Sequence, residues 1–169
     1  MARRYYRRTR VVRPKKKWAS NMKQGTLNAT TPIAILVENS LQGSSPTPVV
    51  VKAGNFKIQG DLTVYISAAA AQVARMTLLV FWLPEGLTAD SDAAGAIVSN
   101  HPEWILAWKQ LDTVGSTSQG NLAASGFSFS SRLKRNLNSG DKICIAFLND
   151  TSAAQPTIKY TCQYWTCAN

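Results

Sequence analysis

Acidic residues are missing from the first 23 positions of this chain, which hold six Arg and four Lys. Histidine occurs once, at His101, and cysteine three times, at Cys144, Cys162 and Cys167. No apolar run approaches the roughly eighteen residues of a membrane-spanning helix. Neither a GxGxxG nor a P-loop pattern is present. Each absence closes off a class of function. A Cys-His pair would depend on His101 alone, and that residue sits in "NHPEW" beside a proline, a surface-loop context. Zinc needs four ligands, which "CQYWTC" and one distant histidine do not supply at the usual spacing. The sequence therefore predicts no catalytic residues, no metal, no cofactor and no enzyme. Cys162 and Cys167 are five apart, so on one strand they face opposite sides and cannot bridge. A sparse, odd set of cysteines suits a reducing compartment. The basic start is not followed by a signal peptide's apolar region, which predicts a cytosolic or nuclear protein.

Charge is abundant but unevenly placed. The whole chain carries a net +10. The first 23 residues hold ten basic residues, whereas residues 24–169 hold nine basic and nine acidic ones. A block of like charge at one end reads as an interaction tail. Its charges repel and it has too little apolar surface to offset the ordering entropy. The expected organisation is a disordered basic arm, 1–23, and one folded domain, 24–169.

The folded part reads as strands. In "FKIQGDLTVYIS" (56–67) Phe56, Ile58, Leu62, Val64 and Ile66 alternate with polar residues, and Gly60-Asp61 suggests a bulge. "FSFSSRL" (127–133) alternates in the same way, and "TIKYTCQYWTC" (157–167) has a strand composition. "MTLLVFWL" (76–83), "ICIAFL" (143–148) and the shorter "IAILVE" (33–38) are apolar on both faces, as strands central in a sheet and covered on both sides are. "WILAWKQL" (104–111) is read as a strand and "AIVS" (96–99) as a short extra one. "SAAAAQVA" (67–74) favours at most a turn or two of helix. "GSSPTP" (43–48), "PEG" (84–86) and "NSGD" (138–141) are turn signals, the last predicting a hairpin between 127–137 and 142–149. Seven or eight strands with few helices predict an all-β fold, best fitted by a single eight-stranded jelly-roll β-sandwich.

The arm suits nucleic acid. Arg3, Arg4, Arg7, Arg8, Arg10, Arg13, Lys15, Lys16, Lys17 and Lys23 can neutralise phosphates and release counterions without sequence preference. Tyr5, Tyr6 and Trp18 lie among them, and aromatic rings stack unpaired bases at about 1–3 kcal/mol each. "KKK" at 15–17 also fits a nuclear import signal. An anionic membrane fits less well, because no amphipathic apolar face accompanies the charges. In "SRLKRN", Arg132, Lys134 and Arg135 are candidates for a secondary nucleic-acid contact, with Arg132 and Lys134 on one strand face. A solvated strand face is the plainer reading of those three.

"MARRYYRRTRVVRPKKKW", followed by a strand series from Thr26 to Cys167, resembles the capsid proteins of small circular single-stranded DNA viruses of the circovirus and cyclovirus type. The resemblance implies a jelly roll that tiles an icosahedral shell and an arm that points inward onto a single-stranded genome, DNA rather than RNA. It implies a homo-oligomer, a 60-subunit shell in the smallest closed case, in which the arms bring roughly 600 positive charges to the genome. It places the protein in the virion and, during assembly, in the host nucleus, with a nuclear import receptor as a further partner and no membrane. Satellite-virus capsids with RNA genomes share the fold and the arm. The alternative is a cellular nucleic-acid-binding β-barrel module with a basic tail, which needs a basic, aromatic face on the folded domain itself. A secreted jelly-roll ligand fits neither the basic arm nor the missing signal peptide.

Overall fold

The computed structural model describes residues 17–40, 49–66, 73–89, 91–114, 121–149 and 154–168. Eight strands run through them: β1 Ala19–Asn28, β2 Ile33–Glu38, β3 Val51–Ile66, β4 Val73–Leu83, β5 Ile105–Val114, β6 Asn121–Leu137, β7 Lys142–Asn149 and β8 Ala154–Ala168. The helix α1, Ser91–Asn100, and a short 3-10 turn, Pro102–Trp104, lie between β4 and β5. The strands pair antiparallel as β1–β8, β2–β7, β3–β6 and β4–β5, like one long hairpin. That hairpin is rolled up by two further pairings, β3–β8 and β4–β7. The result is two four-stranded sheets, β1-β8-β3-β6 and β2-β7-β4-β5. This nested order is that of a jelly roll, the fold expected from the strand pattern.

The core lies between the sheets. Leu27, Phe56, Ile58, Leu62, Val64 and Ile158 of the first sheet meet Met76, Leu78, Val80, Ile143 and Ile145 of the second. Burying each such side chain contributes about 1.5–3 kcal/mol. A second apolar cluster occupies the outer side of the second sheet, where Leu79, Phe81, Leu83, Cys144 and Ala146 lie beneath Ala94 and Ile97 of α1. Hence β4 and β7 are apolar on both faces, and both are central strands of their sheet.

Several expectations are corrected. "AIVS" lies within α1 rather than in a strand, because Ile97 is needed to cover Phe81 and its neighbours. β2 is an edge strand, not a central one; of its residues only Leu36 is fully buried. "NSGD" does form a turn, with Gly140 at φ 84° and the Asp141 amide donating to the Asn138 carbonyl. However, it joins strands of different sheets, since β6 pairs with β3 and β7 with β2 and β4. Local turn chemistry reverses the chain without choosing its partner. The bulge in β3 lies at Gly54–Phe56, where Asn55 has φ 57°, and the register runs unbroken through Gly60. Ala19–Lys23, read from their charge as part of the arm, form the first half of β1, held along their length by β8. "GSSPTP" and most of "SAAAAQVA" lie outside the described residues, and Val73 and Ala74 of the latter begin β4.

Candidate nucleic-acid interface

Arg3, Arg4, Tyr5, Tyr6, Arg7, Arg8, Arg10, Arg13, Lys15 and Lys16 lie outside the described residues. Lys17 and Trp18 lead into β1 and are exposed. Where they arrive is set by the first-sheet register: Ser20 stands opposite Trp165 of β8. The arm therefore joins the fold at one end of this sheet.

Register and burial define the outer face of that sheet. On β8 the buried Ile158, Tyr160 and Cys162 point into the sandwich, so Lys159, Thr161, Gln163 and Trp165 point out. On β3 the buried Phe56, Ile58 and Leu62 likewise leave Lys57, Gln59 and Asp61 outward. The bulge at Asn55 flips the parity, so that Lys52 and Gly54 face outward beside Cys167 and Trp165. Bulges re-aim side chains in this way. On β6, Ser128, Ser130, Arg132 and Lys134 face outward, as the alternation predicts.

Two cation–π contacts lie on this face. The Lys57 Nζ is 5.4 Å from the Trp165 ring centroid, and the Lys134 Nζ is 5.1 Å from that of Trp18. Gly54 makes room for the second: a Cβ there would run into the Lys134 stem and come within 2.7 Å of the Leu133 carbonyl oxygen. Beside these contacts a shallow groove of about 520 Å³ is lined by Met22, Lys57, Gln59, Ser130 and Gln163.

The remaining candidates separate from this group. Arg135 is on the opposite side of β6, where its guanidinium carbon lies 4.0 Å from the Trp82 ring centroid. Trp82 meets Trp104 edge-on at 5.2 Å, and His101 stacks on Trp104 at 4.0 Å while its Nδ1 lies 3.2 Å from Glu103 Oε1. Lys23 stands opposite the inward-pointing Cys162, and its ammonium donates to the Ile35 carbonyl of β2 across the sandwich edge. Lys23 and Arg135 thus do not share a surface with Arg132 and Lys134. Sequence reasoning did not place Lys57 or Trp165 with the nucleic-acid candidates, although the period-2 pattern of β3 already put Lys57 on its polar face and Trp165 was a candidate for contacts between copies. What it lacked was the register bringing β8 beside β3.

Among the described residues no cluster of three His, Cys, Asp or Glu side chains could hold a metal ion. No described helix is long and apolar enough to cross a membrane. All three cysteines are free and buried. Burial pushes the Cys144 and Cys162 thiols up to about 12, so neither offers a thiolate nucleophile at neutral pH.

No protein-family model matches the chain, and no curated protein matches it. Among solved structures, it is similar to a chain in the structure of the infectious bursal disease virus Gx strain, at 8% identity and a TM-score of 0.30, over 92% of this chain and 36% of that one. It is also similar to a chain of the T13 IBDV viral particle, at 4% identity and a TM-score of 0.28, over 89% of this chain and 35% of that one. This chain spans about a third of the length of each. The jelly-roll order stands on the strand pairing alone.

Proposed function

We propose that this is a viral capsid protein, whose jelly roll assembles with copies of itself into a closed icosahedral shell and whose N-terminal segment binds a single-stranded genome inside. The observation that carries the reading is the placement of charge on the fold. Residues 1–18 hold six Arg, three Lys and no acid, and they enter an eight-stranded jelly roll at its first strand. The rest of the chain has ten basic and nine acidic residues and no candidate catalytic group. Jelly rolls are common in viral shells. Near-neutral walls pack against one another without mutual repulsion, while the basic segments neutralise phosphate. Trp108, 63% exposed on the edge strand β5, and Leu133, 56% exposed on β6, suit contacts between copies.

The circovirus type, a 60-subunit shell, a DNA genome, nuclear import through Lys15–Lys17 and a virion location belong to the same proposal. Electron microscopy of the purified full chain, with and without single-stranded DNA, tests it. Closed isometric particles holding nuclease-resistant nucleic acid are expected. A chain that stays monomeric across salt and pH with nucleic acid present contradicts it. A second reading, a nucleic-acid-binding module with a basic tail, draws support from the Lys57–Trp165 and Lys134–Trp18 contacts on the folded domain. Monomers that bind single strands are its signature in the same experiment.

A further inference from the structure

The outer face of the first sheet carries positive charge that no carboxylate among the described residues pairs. Near the point where the arm joins, Lys57, Arg132 and Lys134 are exposed and face outward from neighbouring strands. None of them is ion-paired to a carboxylate among the described residues. The acid on the outer side of β3, Asp61, lies farther along, with Lys159 as its neighbour in register. Two of the three cations rest instead on tryptophan rings. A ring holds an ammonium at the surface without cancelling its charge. The cations are thus kept in place, charged and available.

We propose that Lys57, Arg132 and Lys134, with Trp18 and Trp165, form a second contact surface for single-stranded nucleic acid, continuous with the basic arm. The cations meet phosphates, and a base stacks on each tryptophan as the ammonium moves off the ring to a phosphate. Single strands fit better than duplex, because the surface is a sheet face with rings that need unpaired bases. Arg132 and Lys134 are two residues apart on one strand, so their Cα atoms are about 7 Å apart and both point the same way. Arg135 has no part in the surface, since it lies on the other side of β6 against Trp82. The inference deepens the proposed arm function and rests on it, because the strand held by the arm is the strand delivered to this face.

The test uses the full chain and fluorescently labelled oligo(dT), with binding followed by anisotropy over a salt series. A face variant combines K57Q, R132Q and K134Q; an arm variant has glutamine in place of the nine Arg and Lys residues before Ala19. The face variant should lower the slope of log affinity against log salt by about 2, since each phosphate contact with a single strand contributes about 0.7. The charge-keeping set K57R, R132K and K134R should restore it. W165L should weaken binding by about 5- to 150-fold and leave the slope unchanged. Lys57, Arg132 and Lys134 are exposed and Trp165 is half-buried, and an unchanged melting temperature confirms that each variant is folded. A face variant with the parent's slope overturns the inference, even if the arm variant has lost binding. An arm variant that keeps the parent's slope overturns the arm reading instead. Loss of binding to phosphatidylserine vesicles by the face variant, with oligo(dT) binding intact, assigns the surface to a membrane and also overturns the inference.

Discussion

The two sheets of this sandwich use their outer faces in opposite ways. The sheet β1-β8-β3-β6 shows solvent a row of Gln, Ser, Thr and Lys, with tryptophans at the end where the arm joins. The sheet β2-β7-β4-β5 presents Leu79, Phe81, Leu83, Cys144 and Ala146, and α1 covers them. One side of the molecule is therefore two layers thick and the other three. No described helix covers the polar face, whereas the apolar face is committed to holding the fold. An alternating strand and a doubly apolar strand thus carry different functional meaning here, although both contribute to the same core.

The sharpest way to break this comparison is to substitute on the covered face. Phe81 is fully buried although it points away from the inter-sheet core. Phe81→Ala should cost about 3–5 kcal/mol in chemical denaturation, as a core phenylalanine does. A cost under about 1 kcal/mol would mean that α1 does not cover that face.

Alkaline titration gives the next largest effect. The Cys144 thiol, under α1, and the Cys162 thiol, in the inter-sheet core, are both raised from an ordinary 9.0 to about 12 by burial. Unfolded chains ionise near 9.0 and the folded protein does not. The contribution is therefore fully present below about pH 9 and is lost as pH rises toward 12. The slope is about 1.4 kcal/mol per pH unit for each thiol. Denaturation midpoints at pH 8, 9 and 10 should stay level and then fall, and replacing either cysteine with alanine should reduce the fall. The two thiols should contribute alike, although one is covered by a helix and the other by a sheet.

Gly60 tests the spacing of strands beneath the polar face. A Cβ there would collide with the Lys159 carbonyl oxygen and come within 2.9 Å of the Phe127 ring. Gly60→Ala should destabilise by about 1–3 kcal/mol, measured by thermal melting. Ser128→Ala, on the outer side of β6, should change stability by less than about 0.5 kcal/mol. Together they separate a face constrained by its backbone from one whose side chains are free to serve binding.

Much of the fold was legible because its strands obey simple patterns. Phe56, Ile58, Leu62 and Val64 mark β3 by alternation, and "MTLLVFWL" and "ICIAFL" announce coverage on both sides. The first strand was less visible. "ASNMKQGTLN" is an edge strand whose one fully buried side chain is Leu27, so little apolar signal remains in it. α1 was missed because "SDAAGAIVSN" is short, and the apolar run "AIV" within it mimics a strand fragment. The shared outward face of Arg132 and Lys134 followed from period 2. The meeting of Lys134 with Trp18, 116 positions away in the chain, depends on the β3–β6, β3–β8 and β1–β8 registers, which no local pattern encodes.

The central claim is that binding to the genome resides mainly in the segment before β1, while the jelly roll folds without it. The direct measurement compares the full chain with residues 18–169 in binding single-stranded DNA and RNA over a salt series, with circular dichroism to follow the fold. Removing Arg3–Lys17 deletes six Arg and three Lys. The slope of log affinity against log salt should then fall by about 6, leaving the smaller dependence from Lys57, Arg132 and Lys134, with the strand signal unchanged. A truncated chain that keeps the affinity and slope of the full chain, or that no longer folds, would contradict the account.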